Sequence, residues 1–197
     1  MRRSVCRGLL AFAAAASIGL LTLATTAAGA AAPAAGALTA NRDAPACTTS
    51  GLDIWAATNR GSTYAGGYYD SIYLTNMSGH RCTLRGYAGV SAAGLSGKEI
   101  GSPAGREPLG PKLVTLAQDA TAYILVQVGD PGNYGRTCFL PGSRPLQVPL
   151  AAGLRVYPPG QFTSKVAALP VLACYHHGPV WLHVDPARGP VSPPDQG

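Results

Sequence analysis

Acidic side chains are scarce in this chain, since only nine Asp and Glu residues stand among 197. Glycoside hydrolysis needs two carboxylates held roughly 5–10 Å apart across a cleft, and no pair here has a spacing that predicts such a site. Lysine occurs only at Lys98, Lys112 and Lys165. No basic stretch stands beside aromatic residues in the pattern typical of a nucleic-acid groove, so we expect no nucleic acid among the partners.

Motifs for nucleophilic and nucleotide chemistry are also missing. Residues 89–93, Gly-Val-Ser-Ala-Ala, lack the second glycine of a nucleophile elbow, and no strand-to-helix context surrounds Ser91. The chain contains neither a phosphate-binding glycine loop nor a dinucleotide fingerprint. We therefore predict a protein without catalytic residues or cofactors. An enzyme with an unrecognised site is the lesser alternative.

The amino terminus has the pattern of an export signal. A positive start is made by Arg2, Arg3 and Arg7, and the apolar stretch Gly8–Ala24 follows. Small-residue cleavage motifs come next, which predicts a signal-peptide helix over residues 1–30, with cleavage as late as residue 37. The apolar stretch is short and rich in Ala for a membrane anchor, so no membrane span is expected after cleavage. Loss of three arginines lowers the net charge from +6 to near +3.

Composition divides the remainder of the chain. Residues 31–46 are rich in Ala, Gly and Pro, which predicts a flexible spacer. Residues 47–187 are long enough for one hydrophobic core and are predicted to form a single domain. Residues 188–197 include three prolines and are predicted to be a disordered tail.

Strand periodicity runs through the predicted domain. From Thr121 to Val128 every second residue is apolar and falls on one face of the predicted strand, and Tyr68 to Thr75 shows the same alternation. Segments rich in Gly, Pro and Asn separate seven or eight such strands. This pattern predicts an all-β, Ig-like β-sandwich of short antiparallel strands.

Four cysteines follow the predicted signal peptide: Cys47, Cys82, Cys138 and Cys174. An even number in an exported chain predicts disulfides, for which three pairings are possible. We favour Cys47–Cys82 and Cys138–Cys174, because each pair joins neighbours in sequence and closes a loop of moderate length. Zinc sites bring cysteines in close pairs, two to four residues apart, and none are spaced so here. We expect no metal site.

Aromatic residues suggest the best candidate ligand surface. Tyr69 and Tyr73 share one face of a predicted strand, and Tyr123 lies on the outward face of another. Trp181 and His183 share a further strand face. These five residues could form a platform for a sugar or a peptide, although Tyr also suits half-buried sheet positions in general. The adjacent His176 and His177 point opposite ways on an extended chain, which argues against a histidine metal site.

One segment carries a family resemblance. Residues 74–90 read Leu-Thr-Asn-Met-Ser-Gly-His-Arg-Cys-Thr-Leu-Arg-Gly-Tyr-Ala-Gly-Val. This pattern, with Cys47, Cys138 and Cys174 in order around it, resembles an actinobacterial exported family called domain of unknown function 4232. The resemblance spans Cys47 to about Pro186. It departs from the family pattern at Ala88, where proline is usual, and at Tyr175-His176, where glycines are usual. It implies an exported or envelope-attached Ig-like β domain and no chemistry.

The sequence therefore predicts a secreted or wall-associated, non-catalytic module of unknown ligand, with a cell-wall polymer or an extracellular protein as possible partners. The alternative is a secreted protease inhibitor, which would present a disulfide-held loop such as Leu95–Pro111 or Gly129–Arg136. Rigid presentation of such a loop lowers the entropy cost of binding.

Overall fold

The computed structural model describes residues 44–144 and 146–192, and for residues 59–61 it describes the backbone alone. The predicted signal peptide, residues 31–43 of the predicted spacer and the end of the predicted tail lie outside the described residues. The described residues contain twelve strands and one 3-10 helix, Pro131–Cys138. The strands are β1 (Leu52–Tyr64), β2 (Gly67–Asn76), β3 (Cys82–Arg85), β4 (Gly89–Ala93), β5 (Glu99–Ile100), β6 (Gly105–Arg106), β7 (Leu113–Leu116), β8 (Thr121–Gly129), β9 (Leu150–Tyr157), β10 (Lys165–Leu172), β11 (Leu182–Val184) and β12 (Arg188–Val191).

The strands form two main sheets and a small third one. The first sheet has the order β1-β2-β8-β11-β6, and β12 also pairs with β8. The second sheet has the order β10-β9-β4-β5, and β3 pairs with β7 in the third. All pairings are antiparallel except that of β11 with β6.

A single core lies between the two main sheets. In β8 the alternate residues Ala122, Ile124, Val126 and Val128 are at most 1% exposed. They belong to the same hydrophobic cluster as Leu154 and Val156 of β9 in the second sheet. A period of two places every second side chain on one face of a strand, which explains why these apolar residues meet. The predicted all-β fold with two disulfides is confirmed, and the two facing sheets fit the predicted Ig-like sandwich.

The strand count and the pairing differ from the prediction. The sequence predicts seven or eight antiparallel strands, whereas the described part of the chain contains twelve, and β6 runs parallel to β11. The additional strands β5 and β6 have two residues each, too few to show a period of two. They lie within Leu95–Pro111, which therefore contains strand structure.

The predicted tail and spacer are also partly ordered. Residues 188–191, predicted to begin a disordered tail, form β12, in which Arg188 pairs with Tyr123 and Val191 with Thr121. Arg188 also donates to the Asp185 carboxylate at 2.6 Å. At the other terminus Ala46, assigned to the spacer, forms a parallel bridge with Thr83. These backbone and ion-pair contacts extend the folded region beyond both predicted boundaries.

Two disulfides connect distant elements. Cys47–Cys82 joins the segment before β1 to the start of β3, and Cys138–Cys174 joins the end of the 3-10 helix to the segment after β10. All four cysteines are at most 2% exposed. Beside the second disulfide, Gly101 has a φ of 70°, and a Cβ there would lie 2.4 Å from the Cys174 carbonyl oxygen. Only glycine fits this approach of two backbones.

The sandwich has two ends of different character. At one end β2 finishes and β8 starts, and both described termini lie there, since Ala46 bridges Thr83 and Val191 pairs with Thr121. We call this the terminal end. At the other end β8 finishes at Gly129 and β9 starts at Leu150. We call this the loop end. It includes the turn 94–98, the 3-10 helix, residues 139–144 and 146–149, and residues 173–180.

Candidate functional site

The predicted aromatic platform is brought together only in part. Tyr69, Tyr73 and Tyr123 lie on the outer face of the first sheet, where Tyr73 pairs with Tyr123. His183 pairs with Gln127 on the same face. Trp181 does not belong to this surface, because it precedes β11 and is fully buried in the core. Its assignment to the platform was wrong, since strand alternation does not extend to a residue outside the strand.

Ring stacking limits what the platform offers to a ligand. The rings of Trp55 and Tyr73 lie 4.3 Å apart and are inclined by only 16°. Each ring therefore covers one face of the other, and Tyr73 is only 9% exposed. Cross-strand aromatic pairs of this kind stabilise a sheet. The stacked pair therefore leaves less ring surface for a ligand than two separate rings would.

Two further side-chain contacts lie on this face. The His183 Nδ1 lies 3.1 Å from the Glu107 carboxylate, and the Tyr64 and Tyr69 rings lie 5.1 Å apart. Burial, followed by the charges of Tyr134 and Tyr69, raises the pKa of the Tyr64 hydroxyl. A raised pKa keeps that hydroxyl protonated at neutral pH. The Tyr64 hydroxyl can therefore donate a hydrogen bond.

The motif that carries the family resemblance forms a structural network. Asn76, at the end of β2, is fully buried. Its amide nitrogen donates to the carbonyl oxygens of His80, Leu116 and Ala117 at 2.8, 3.2 and 3.0 Å. Its side-chain oxygen accepts from the backbone amide and the hydroxyl of Ser78. One side chain thus ties β2, the following turn and the end of β7 together.

Other motif residues have equally structural positions. Cys82 forms a disulfide, Leu84 is buried in the core, and Gly86 has a φ of 112° that favours glycine. The Tyr87 hydroxyl donates to the Glu107 carbonyl oxygen at 2.6 Å and contacts that of Leu109. The motif explains how the chain folds locally, and none of its residues is among the lining of the two clefts described next.

Two neighbouring clefts open at the loop end. The first has a volume of about 420 Å³, and the second has about 680 Å³. His176 lines both. The first is lined by Gly94, Ser96, Lys98, Glu99, Ile100, Gly101, Pro149, Tyr175, His176 and His177. The second is lined by Arg136, Phe139, Leu140, Pro141, Gly142, Ser143, Arg144, Leu146 and His176.

Positive charge distinguishes the second cleft. Arg136 and Arg144 line it and are exposed, and no carboxylate is among the described residues that line it. Lys98 lines the adjoining cleft, where Glu99 is the one acidic side chain among the described lining residues. Guanidinium groups present planar, fixed donors that suit phosphate and carboxylate oxygens. The second cleft can therefore bind an anionic group.

Several contacts hold the walls of this cleft. The His176 amide donates to the Thr137 carbonyl oxygen at 3.1 Å, which links the 3-10 helix to the segment after β10. The Cys138–Cys174 disulfide lies one residue further along that helix. The Ser143 hydroxyl donates to the Leu140 carbonyl oxygen and accepts from the Gln147 amide. These links fix the positions from which Arg136 and Arg144 extend.

Sequence reasoning did not identify this cleft. Its cations are Arg136, in the 3-10 helix, and Arg144, in the segment before β9, and Lys98 of the adjoining cleft lies in the turn before β5. These three residues have no recognisable spacing in the sequence. His176 was considered only as a metal ligand. Tyr175-His176, noted as a departure from the family pattern, lies within the site, and this departure was the one signal available.

Residues 44–144 and 146–192 contain neither a metal-ligand cluster nor a membrane-spanning helix. No three His, Cys, Asp or Glu side chains come together there as metal ligands would. Nor does that part of the chain include a helix long and apolar enough to cross a membrane.

Comparison with known proteins gives a family and nothing more specific. The family model described as a domain of unknown function, DUF4232, matches residues 47–188. No curated protein and no solved structure matches the chain. The match covers most of the chain, including the Asn76 network, both disulfides and the loop-end clefts. The chain therefore belongs to the DUF4232 family of domains of unknown function.

Proposed function

We propose that this protein is a non-catalytic module that acts outside the cytoplasm and binds an anionic component of the cell envelope through the second loop-end cleft. The observation that carries the proposal is the pair Arg136 and Arg144, which line a cleft of about 680 Å³ without a lining carboxylate. Opposite charge attracts anionic polymers and raises their rate of association.

The disulfides and the amino-terminal pattern support the location. Disulfides persist in oxidising compartments and are rare in the cytosol, and residues 1–30 have the pattern of a signal peptide. Cys138–Cys174 also holds the cleft wall, which lowers the ordering cost of binding. A secreted or wall-associated module with a preformed anion site is consistent with all of these features.

Equilibrium binding to inorganic polyphosphate tests the proposal. The probe is a long polyanion, and the protein is the product recovered when an exporting host expresses the full chain. We expect binding at low ionic strength that weakens steeply with salt, because exposed charges are screened over about 8–10 Å near physiological salt. The double variant Arg136→Ala/Arg144→Ala is expected to bind at least about tenfold more weakly, since each charge near an anionic surface contributes about 1 kcal/mol.

A matched control removes two cations elsewhere. Arg85 and Lys112 are exposed and lie at and beside the small β3-β7 sheet, and neither lines the second cleft. Arg85→Ala/Lys112→Ala changes the net charge equally and is expected to retain most of the affinity. Equal weakening in both double variants would show a general charge effect and contradict the assigned site.

A protease inhibitor remains a second candidate because of one observation. Leu95 is 99% exposed at the turn between β4 and β5, and Arg155 donates to the Gly97 carbonyl oxygen beneath that turn. The other loop considered, Gly129–Arg136, consists largely of the 3-10 helix. Leu95 could enter an apolar specificity pocket, and assays with subtilisin-like and chymotrypsin-like proteases test this. Full protease activity at micromolar protein would exclude it.

A further inference from the structure

Exposed apolar side chains are concentrated at the loop end. The described residues include eleven large apolar side chains that are exposed. Four of them lie in the loop end, namely Leu95, Leu146, Tyr175 and Val180, and two more, Leu150 and Leu172, stand at the strand ends that border it. Single exposed leucines are ordinary on protein surfaces. A concentration at one end is informative, because large apolar patches commonly mark interaction sites.

Leu95 is the most exposed of these side chains. It is 99% exposed, which means that none of its surface is used within the fold. The turn that carries it is closed by two backbone bonds, Gly94 amide to Lys98 carbonyl and Gly97 amide to Gly94 carbonyl, at 2.9 and 2.8 Å. Arg155 of the second sheet also donates to the Gly97 carbonyl oxygen. A turn held by three hydrogen bonds therefore exposes the Leu95 side chain to solvent.

Cations stand beside this apolar surface. Lys98 is the last residue of the Leu95 turn, and Tyr175 and Lys98 line the same cleft. Leu146 lines the second cleft together with Arg136 and Arg144. Apolar side chains next to Lys and Arg characterise surfaces that rest on anionic membranes, where the apolar groups enter the headgroup boundary and the cations contact the lipid phosphates.

We propose that the loop end docks on the surface of an anionic lipid bilayer, with Leu95 and Tyr175 in the interface and Arg136 and Arg144 on the headgroups. This inference rests on the proposed function and names the source of its anionic ligand. A soluble polyanion has no apolar surface to contact an exposed leucine. A bilayer can bind both the cations, through its headgroups, and the apolar side chains, through its interface. The observed combination therefore favours a lipid surface.

The position of the chain ends is compatible with this orientation. Ala46 and Val191, close to the two described termini, pair at the terminal end of the sandwich. The loop end carries neither of them. Docking through the loop end thus leaves both described termini directed away from the bilayer.

Vesicle sedimentation provides the test. The probes are vesicles of phosphatidylcholine alone, vesicles containing phosphatidylglycerol, and soluble inorganic polyphosphate. The protein is the product recovered after expression of the full chain in an exporting host, with its amino terminus identified by mass spectrometry. The key variant is Leu95→Ser. Its matched control is Phe162→Ser, because Phe162 is 96% exposed and lies in the β9-β10 loop at the terminal end.

We expect binding to the phosphatidylglycerol vesicles and little to phosphatidylcholine alone. Leu95→Ser should weaken vesicle binding about three- to tenfold, because roughly a leucine side chain of apolar surface is no longer buried. It should leave polyphosphate binding unchanged, and Phe162→Ser should change neither. Arg136→Ala/Arg144→Ala should weaken both, by about five-fold for each charge.

Three results would contradict the inference in distinguishable ways. Polyphosphate binding without binding to anionic vesicles would overturn membrane docking and leave the proposed function in place. Vesicle binding that Leu95→Ser and Phe162→Ser reduce equally would also overturn it, because the contact would then not be made by the loop end. No binding to either probe would overturn the proposed function together with the inference.

Discussion

At the scale of single residues, Asn76 shows why a family motif need not be a functional site. Its amide nitrogen and oxygen make five hydrogen bonds to neighbours around the turn that follows β2. A side chain that satisfies so many buried groups restricts the residues allowed around it. The Thr-Asn…Ser-Gly…Cys-Thr-Leu pattern is therefore explained by folding alone.

Replacing Asn76 by Asp should destabilise the protein by about 3 kcal/mol or more. The carboxylate has the shape of the amide but loses both donors, so it would face three carbonyl oxygens in a buried site. Urea unfolding measures the change. Asn133→Asp is the matched control, because Asn133 donates a single exposed bond to the Gly66 carbonyl oxygen, and a loss of about 1 kcal/mol at most is expected there. Similar losses in both variants would contradict the role of Asn76.

Asp185 should make stability depend on pH. Burial raises the pKa of this carboxyl above its ordinary value of 3.8, and Glu107 adds to the rise, while the Arg188 guanidinium opposes it. The folded state then holds the proton more tightly than the unfolded chain. The stability that the protonated Asp185 carboxyl contributes is therefore present at low pH. It is lost as pH rises from 3.8 through the higher pKa of the folded state.

The variant Asp185→Asn cannot titrate at this position. The unfolding free energy of the natural protein should fall relative to that of the variant between pH 3.5 and pH 7, as urea unfolding at several pH values would show. Removing the opposing cation with Arg188→Ala should enlarge the fall, because that guanidinium lowers the pKa. A difference that stays constant with pH, or grows in favour of the natural protein, would contradict the direction of the shift.

At the scale of elements, the sequence predicts strands in which apolar and polar residues alternate regularly. The alternation in β8 and β2 places Ile124, Val126, Ile72 and Leu74 correctly on the core face. Strands of two residues, such as β5 and β6, contain no repeat and were missed. The position of Trp181 was wrong because its alternation was counted from a strand that starts one residue later.

The second loop-end cleft could not be predicted from the sequence for a different reason. Arg136 follows β8, and Arg144 precedes β9. His176 reaches the same cleft only because the chain after β10 returns to the 3-10 helix. Such a cleft depends on tertiary contacts between loops, and a loop has no period from which its neighbours can be predicted.

The two disulfides should differ in their effect on binding but not on stability. They span similar sequence separations of 35 and 36 residues, so each is expected to contribute roughly 3–4 kcal/mol on the chain-entropy account. Only Cys138–Cys174 holds a cleft wall. Polyphosphate affinity should therefore fall in Cys138→Ala/Cys174→Ala and stay nearly unchanged in Cys47→Ala/Cys82→Ala.

Both measurements are needed to separate the two effects. Urea unfolding first establishes that each double variant is folded under the binding conditions and that both lose comparable stability. Affinities are then compared at a temperature where both remain folded. An equal loss of affinity in the two variants would show that the second disulfide does not position Arg136.

At the scale of the whole molecule, charge is distributed unevenly between the two sides of the core. Six of the seven carboxylates of the described residues lie on or next to the first sheet: Asp53, Asp70, Glu107, Asp119, Asp130 and Asp185. Glu99 of β5 is the exception. Arg155 and Lys165 belong to the second sheet, and Arg136 and Arg144 lie in loops that lead to it. The net charge near +3 of the predicted mature chain is therefore an average. The loop end and the second sheet are more basic than the first sheet.

The domain as a whole should depend on oxidation to fold. Two disulfides worth roughly 3–4 kcal/mol each represent a large part of a total stability of about 5–15 kcal/mol. All four sulfurs are buried, so a reductant reaches them only after unfolding. The protein should therefore be reduced in urea, after which the urea is removed while the reductant is kept. We expect such a chain to lack near-ultraviolet circular dichroism and a cooperative unfolding transition, and to regain both when it is reoxidised. A reduced chain that refolds with the same urea midpoint as the oxidised protein would show that the core of Ile124, Leu154 and their neighbours is sufficient by itself, and that the cysteines serve another purpose.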